Sequence, residues 1–305
     1  MALDDRAGRI KMSDLRMFLA VAERGSMSKA AGVLNISQSA VSKALRQLEH
    51  ALGVRLLDRS PQGVEPSIYG RALLNRGVAV FDELRQGLKD IEFLADPNAG
   101  EVRVGVGPPF VGFLFAVIEA LTRKFPRMVF DVVEGDSSSL YGSLRERRID
   151  LLIGRIAPFE DESFNADILF DDEVAIIAGE ANPWARRRKI NLADLANEPW
   201  IVPTPSGLAG MRVVEVFQLH GLPAPKATVV ANSTRLRDRL LATGRYLAVA
   251  PSVELRFSDN TTPLKVLPVE LRLKPRPIGI VTLKNRTLSG ATNAFIETAR
   301  RLAKD

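Results

Sequence analysis

Residues 37–52 read SQSAVSKALRQLEHAL, and the reading of this stretch decides the fold. At 100° per residue, Val41, Leu45, Leu48 and Leu52 fall within about 60° of one another, an apolar stripe of the kind a helix buries. Ser39, Ser42, Lys43, Arg46 and His50 gather within about 100° on the opposite side, offering hydroxyls and cations but no acid. Guanidinium and ammonium groups pair with phosphate oxygens and guanine acceptors, so this face suits DNA. An isolated face of this composition would be read as solvated surface, and the neighbouring residues change that.

Residues 13–24 set Leu15, Phe18, Leu19 and Ala22 at helical spacing behind a Ser13 cap, and Gly25 closes the run. Residues 26–34 form a second short helix in which Ala30 and Ala31 allow close approach, and Asn35-Ile36-Ser37 makes a tight junction to the third. Three short helices in about 40 residues, the last exposing a basic face, make a helix-turn-helix with 37–52 as its reader. Residues 53–59, the turn 60–63 and the return 64–66 read as a β-wing. Arg59 at its base faces phosphate or minor groove, or pairs with Asp58 or Glu65.

These residues resemble the LysR-type transcriptional regulator family. The shared pattern is Ser28, Ala30-Ala31, Leu34, Ser37-Gln38-Ser39-Ala40-Val41-Ser42, Leu48-Glu49, Leu52-Gly53, Leu56, Arg59 and Gly70. Leu57 stands where the family usually has Phe, and Ser67-Ile68-Tyr69 replaces Thr-x-Ala, departures that bear on wing packing. The resemblance implies a DNA-facing set of Ser28, Ser37, Gln38, Ser39, Ser42, Lys43, Arg46 and Arg59. It implies double-stranded DNA, a small-molecule effector, a second copy of the chain and RNA polymerase as partners.

Leu74, Val78, Phe81, Leu84, Leu88 and Ile91 recur at spacings of three and four, predicting a long linker helix over 67–95. A hinge is expected at 96–100, and pairing with a second copy would bury the stripe. The family's linker helices pair into dimers, which commonly assemble into tetramers.

Beyond residue 100 the pattern alternates: strands at 101–105, 129–134, 150–154, 172–178, 200–203, 226–230 and 278–283, with helices at 113–125, 138–147, 211–219, 234–243 and 288–304. This predicts parallel α/β sheets. The expected architecture is an N-terminal winged helix-turn-helix (1–66), the linker helix, and a bilobed α/β effector domain like periplasmic binding proteins (101–305). Its first subdomain is 101–170 with 269–305, its second 171–268, joined by two crossings.

Ligands of open α/β sheets bind beyond the strands' carboxyl ends. Four segments lie there: Gly107-Pro108-Pro109-Phe110, Asp136-Ser137-Ser138-Ser139, Gly154-Arg155-Ile156 and Thr204-Pro205-Ser206-Gly207. Pro108, Pro109, Ser137, Ser138, Arg155, Thr204 and Ser206 are the candidate effector contacts. Arg155 either grips a carboxylate through two parallel hydrogen bonds or forms a salt bridge to Asp150 or another acid. Ser137–Ser139 also fit a helix cap, as does Asn232-Ser233-Thr234. Trp184 and Trp200 read as packing residues, the run 186–189 as a solvated loop, and His220 as a helix-end group. Asn182-Pro183-Trp184-Ala185 and Pro199-Trp200-Ile201-Val202-Pro203 resemble family members linked to sugars or aromatic acids.

The net charge of +6 suits an anionic partner, although residues 1–70, with ten Lys/Arg against seven Asp/Glu, hold only half the excess. The chain has no cysteine and two histidines, which argues against thiolate zinc sites, cysteine nucleophiles and histidine-based triads. Gly105-x-Gly107 runs into two prolines where a dinucleotide site needs a glycine and a helix start. No cofactor or metal is expected, no apolar run suits a membrane span, and a cytoplasmic location follows. An enzyme or an exported solute-binding protein is a weaker reading than a regulator responding to a small carboxylate, aromatic acid or sugar-type metabolite. An effector-independent regulator remains the alternative.

Overall fold

The helical periodicity of the first fifty residues is realised as α1 (Met12–Arg24), α2 (Met27–Leu34) and α3 (Gln38–Leu52). The computed structural model describes residues 7–60, 63–156, 162–257 and 263–304. Helix α1 starts behind Lys11 rather than Ser13, whose hydroxyl bonds the Asp14 carboxylate at 3.2 Å. Gly25 ends it with φ 63°. Ser26 and Ser37 accept hydrogen bonds from the Lys29 and Ala40 amides and cap α2 and α3. Val41, Leu45 and Leu48 are buried against Phe18, Val21, Ala30 and Ala31, and Leu52 is half-buried at the stripe's end.

The wing is the antiparallel pair β1 (Leu57–Ser60) and β2 (Gly63–Pro66). Extended pairing starts at Leu57 rather than 53 because the Glu49 carboxylate takes the Leu56 amide at 2.8 Å. The Val64 amide donates to the Gly25 carbonyl at 3.0 Å, fastening the wing to the end of α1. Ser67 then starts α4 (Ile68–Ala95): its hydroxyl accepts from the Gly70 amide at 3.1 Å and donates to the Arg55 carbonyl at 2.7 Å. Serine thus serves as the cap where the family usually has threonine.

The remaining elements are β3 (Ala99–Val106), α5 (Val111–Lys124), β4 (Arg127–Glu134), α6 (Ser137–Arg145), β5 (Leu151–Arg155), β6 (Phe164–Asp172), β7 (Val174–Gly179), β8 (Trp200–Val202), α7 (Leu208–Gln218), β9 (Ala227–Val230), α8 (Thr234–Ala242), β10 (Leu247–Pro251), α9 (Ser252–Arg256), β11 (Leu264–Val266), β12 (Arg276–Leu283) and α10 (Gly290–Lys304). They build two five-stranded sheets, ordered β4-β3-β5-β12-β6 and β11-β7-β10-β8-β9. In the first, Val102, Val104 and Val106 pack with Phe113 and Val117 of α5 and Phe295 of α10, while Leu140 and Leu144 of α6 cover Leu152 on the other face. In the second, Trp200 meets Phe217 of α7 edge to face at 5.2 Å.

The structure differs from the sequence expectation at three places. Neither sheet is all parallel: β12 runs antiparallel to β5 and β6, and β7 antiparallel to β10 and β11. Strands β6 and β7 belong to different sheets, and the single residue Glu173 between them carries the chain from one sheet to the other. Second, β6, β10, β11 and α9 are not in the sequence expectation, and α9 packs with the first sheet although 171–268 was expected as one lobe. Val253 joins the core of the first sheet, and Phe257 meets Phe113 edge to face at 5.2 Å. Third, contacts divide the chain between Gly87 and Leu88 rather than at 96–100, and β3 already begins at Ala99. Among the described residues no helix is long and apolar enough to cross a membrane.

Candidate nucleic-acid interface and ligand cleft

In the first unit, α3 exposes Gln38, Ser39, Lys43, Arg46 and His50, with Ser42 half-buried at the edge of that face. Ser28 is exposed on α2. The Ser37 and Ser39 hydroxyls lie 2.9 Å apart at the helix start, and Arg46 Nε donates to the Ser42 carbonyl at 3.3 Å, leaving its remaining donors outward. Arg59 sits on β1 opposite Val64, its side chain outside the described residues, as are Pro61 and Gln62 of the wing turn. Glu49, quoted only as part of a family pattern, proves to organise the junction by accepting from the Leu56 amide and, at 3.4 Å, that of Leu57.

In the second unit β3, β4 and β5 run parallel, as do β8, β9 and β10, so the residues after their carboxyl ends converge. They enclose a cleft of about 1180 Å³. Pro108, Pro109, Ser137, Ser138 and Arg155 line it from the first sheet, and Thr204 and Ser206 from the second. All seven sequence candidates meet there. Asn232, read only as part of a cap, also lines it and holds the Thr204 loop by accepting from the Thr204 amide at 2.9 Å. Ser233 performs the capping, accepting from Leu236.

The acceptor that caps α6 is Asp136 rather than the serines: its Oδ1 takes the Ser138 hydroxyl at 2.6 Å and the Ser139 amide at 3.0 Å. These bonds hold its carboxyl below the usual range. One wall is aromatic, with Tyr141 and Phe164 edge to face at 5.1 Å and the Arg145 guanidinium 5.4 Å from the Phe164 ring.

Arg155 does not pair with Asp150. The two lie five residues apart along an extended segment, roughly 16 Å at 3.3 Å per residue and on opposite faces. Asp150 is instead held by Arg103 at 2.5 Å, Arg286 at 2.7 Å and Lys89 at 3.4 Å. The salt bridge of Arg155 is with another acid, Asp172, with Nη2 3.9 Å from Oδ2, an ion pair beyond hydrogen-bond reach. Asp172 Oδ1 accepts from the Val253 amide at 2.8 Å, while its buried Oδ2 has no hydrogen-bond partner among the described residues. Burial pulls the Arg155 guanidinium below its ordinary pKa against the pull of Asp172, with Arg212 and Arg276 adding to the depression; burial likewise pushes Asp172 up. Arginine stays charged throughout the physiological range.

Arg237, a further arginine lining the cleft, is satisfied: from α8 it grips Glu254 on α9 at 2.5 and 3.1 Å and Asp238 at 2.7 Å. Trp200 is fully buried and donates to the Leu195 carbonyl at 2.8 Å, Arg186, Arg187, Arg188 and Lys189 are exposed, and His220 Nδ1 lies 2.9 Å from the Val216 carbonyl at the end of α7. Among the described residues no group of three or more His, Cys, Asp or Glu side chains is placed to hold a metal ion.

Comparison with known families places both units. Residues 12–71 match the family described as bacterial regulatory helix-turn-helix protein, lysR family, and residues 95–304 match the LysR substrate binding domain. The transcriptional regulator GbpR of Azospirillum brasilense is 30% identical over 301 residues, covering 97% of this chain and 87% of its own. Among solved structures, a full-length OxyR variant from Pseudomonas aeruginosa superposes with a TM-score of 0.69 at 21% identity, covering 95% of this chain and 94% of that one. Full-length CbnR in complex with its target DNA gives 0.55 at 20% identity, covering 96% and 99%.

Proposed function

The chain belongs to the LysR family of bacterial transcriptional regulators, a family of DNA-binding proteins rather than enzymes, and from that membership we propose how its two units share the work. The first unit reads operator DNA in the cytoplasm with Ser39, Ser42, Lys43 and Arg46 of α3, supported by Ser28, Ser37 and Gln38 and by Arg59 on the wing. The second senses a small carboxylate through Arg155. The observation that carries this is an electrostatic one: Arg155 lines the cleft, is largely buried, and makes no hydrogen bond to any described residue. Arg237 in the same cleft, and the buried Arg103 and Arg286 elsewhere in the unit, are each held by carboxylates. A buried guanidinium without a hydrogen-bonding partner is costly, and a ligand carboxylate supplies two acceptors in matching geometry.

The aromatic wall of Tyr141 and Phe164 favours an apolar or aromatic body on that acid over a sugar. Ser137 and Ser138 on the first sheet, and Thr204 and Ser206 on the second, supply hydroxyls to polar substituents. A ligand touching both sheets draws them together and shifts the population of cleft states. Two copies pair through the exposed stripe of α4, which includes Leu84, Leu88 and Ile91, and present two reader helices to an inverted repeat. The similarity to CbnR, solved with its target DNA, supports such an arrangement, with dimers assembling into tetramers.

Thermal shift of the full chain against benzoate-like acids, aliphatic carboxylates and sugars tests the cleft, because a ligand that binds only the folded state raises the melting temperature. A carboxylate whose stabilisation vanishes in Arg155→Ala supports the assignment. Stabilisation by an acid that persists in that variant would overturn Arg155 as anchor.

A further inference from the structure

In the Asn232-Ser233-Thr234 segment the cap of α8 is Ser233, which leaves Asn232 free for another task. Its Oδ1 accepts from the Thr204 amide at 2.9 Å. A backbone amide only donates, so the carboxamide is fixed with its oxygen toward that loop and its Nδ2 turned away from it. Among the described residues the Nδ2 has no hydrogen-bond partner, and Asn232 is exposed where it lines the cleft. The loop itself is held from two further sides. The Gly207 amide donates to the Thr204 carbonyl at 3.0 Å, and Gly210 of α7 lies so close that a Cβ there would be 2.3 Å from the same oxygen. Just before Asn232, the Ala231 amide donates to the Val202 carbonyl at 3.0 Å.

Holding the loop needs only an acceptor at position 232. Aspartate would be a stronger one, and a negative charge is favoured just before the start of α8. What asparagine offers beyond aspartate is an N–H donor and neutrality, and both bear on whatever occupies the cleft beside it. The rest of that side is neutral as well. Among the described residues the one charged side chain lining the cleft from the second sheet is Arg237, which Glu254 and Asp238 already hold. No cation is left there for a second carboxylate, and an ammonium group would meet a donor rather than an acceptor at Asn232.

We propose that Asn232 Nδ2 is a ligand contact that sets specificity, and that the cleft takes a monocarboxylic acid carrying a neutral acceptor oxygen, such as a keto group, at the end away from its carboxylate. This rests on the reading of Arg155 as the carboxylate anchor on the first sheet and adds the group recognised by the second. The carboxamide is oriented before the ligand arrives, because the Thr204 amide has already taken its oxygen. A donor fixed in this way loses little freedom when it binds.

Calorimetric titration of the full chain with the 2-, 3- and 4-acetylbenzoates and the ethylbenzoates of matching shape tests it. Acetyl and ethyl groups differ in the acceptor oxygen, so the ratio of the two dissociation constants isolates that oxygen. At least one acetylbenzoate is expected to bind the parent about three- to ten-fold tighter than its ethyl counterpart, the worth of one neutral hydrogen bond. Asn232→Asp keeps an acceptor for the Thr204 amide but loses the donor, and its added charge acts on both acids of a pair alike. The acetyl preference should disappear there and in Asn232→Ala. A preference that survives both variants, equal binding of every pair by the parent, or no binding of any of these acids overturns the Asn232 contact and the ligand class. Arg155→Ala separates this from the anchor, since it should weaken both members of a pair together. Acids that bind that variant as tightly as the parent overturn Arg155 as anchor. Loss of binding there, with no acetyl preference in the parent, overturns Asn232 alone.

Discussion

Replacing Asp150 with asparagine should destabilise the second unit without touching the cleft or the reader helix. Asp150 is buried with its side chain 1% exposed, and three cations converge on it: Arg103 by its backbone amide at 2.9 Å and its guanidinium at 2.5 Å, Arg286 at 2.7 Å and Lys89 at 3.4 Å. Arg286 is as buried as the acid and donates in addition to the Ile149 carbonyl at 2.8 Å. An amide keeps one acceptor oxygen but cancels the buried negative charge these groups share. Breaking a buried ion pair from one side costs about 3–5 kcal/mol, and a unit of this size loses roughly 2–4 °C per kcal/mol. The expected drop in melting temperature is therefore roughly 6–20 °C. Trp184 and Trp200, the two tryptophans of the chain, both lie in the second unit, so intrinsic fluorescence follows its unfolding alone. The pH dependence supplies an independent check. Burial pushes the Asp150 carboxyl up, but hydrogen bonding and charge from Arg103, with Lys89 adding, hold it well below the ordinary carboxylate range. A folded pKa lowered in this way gives stability that is complete above the unfolded value near 4 and is lost as pH falls through the folded value. The gap between parent and variant should be constant from pH 5 to 8 and close only below about pH 4. A drop under about 2 °C, or a gap that widens on acidification, would refute this account of the cluster.

Three further changes probe the reader unit. Arg46→Ala should weaken binding to a duplex selected by the parent protein by about 10- to 100-fold and leave the melting of the second unit unchanged; equal titration curves would remove Arg46 from the recognition face. Glu49→Ala strips the Leu56 and Leu57 amides of their acceptor and should cost about 1–3 kcal/mol in the denaturant midpoint of the reader unit, followed by circular dichroism. Gly70→Ala sets a Cβ 2.0 Å from the Leu56 carbonyl oxygen and should cost about 1–3 kcal/mol in the same assay, the price of forcing the start of α4 off the wing; a neutral substitution would mean that the helix start shifts freely.

Periodicity was enough for the parts of the molecule where function follows from one element or one topological rule. The stripe of Val41, Leu45 and Leu48 is buried, and the opposite face of α3 is the exposed one. The segments after β3, β4, β5 and β8 line one cleft because parallel strands point their carboxyl ends the same way. Charge pairing followed neither rule. Asp172 contacts the Val253 amide 81 residues away, and Asp150 contacts Arg286 across 136, separations that no local window reads. Strand β6 was missed because its charged and apolar residues suit an edge strand with one face to solvent, and α9 because five residues carry too little periodicity to register.

The pairing of Arg155 with Asp150 is different, since strand geometry already argued against it: residues five apart in an extended segment lie on opposite faces and roughly 16 Å from each other. That geometric step also sharpens the functional argument. With Asp150 committed to Arg103, Arg286 and Lys89, the remaining acid beside Arg155 is Asp172, whose Oδ1 is taken by the Val253 amide and whose Oδ2 stops 3.9 Å short. A guanidinium so placed has donors available on its cleft side and a buried carboxylate behind it that fixes its position without satisfying it. We propose that the charge completing this arrangement comes from a ligand carboxylate, which the loss of acid binding in Arg155→Ala tests.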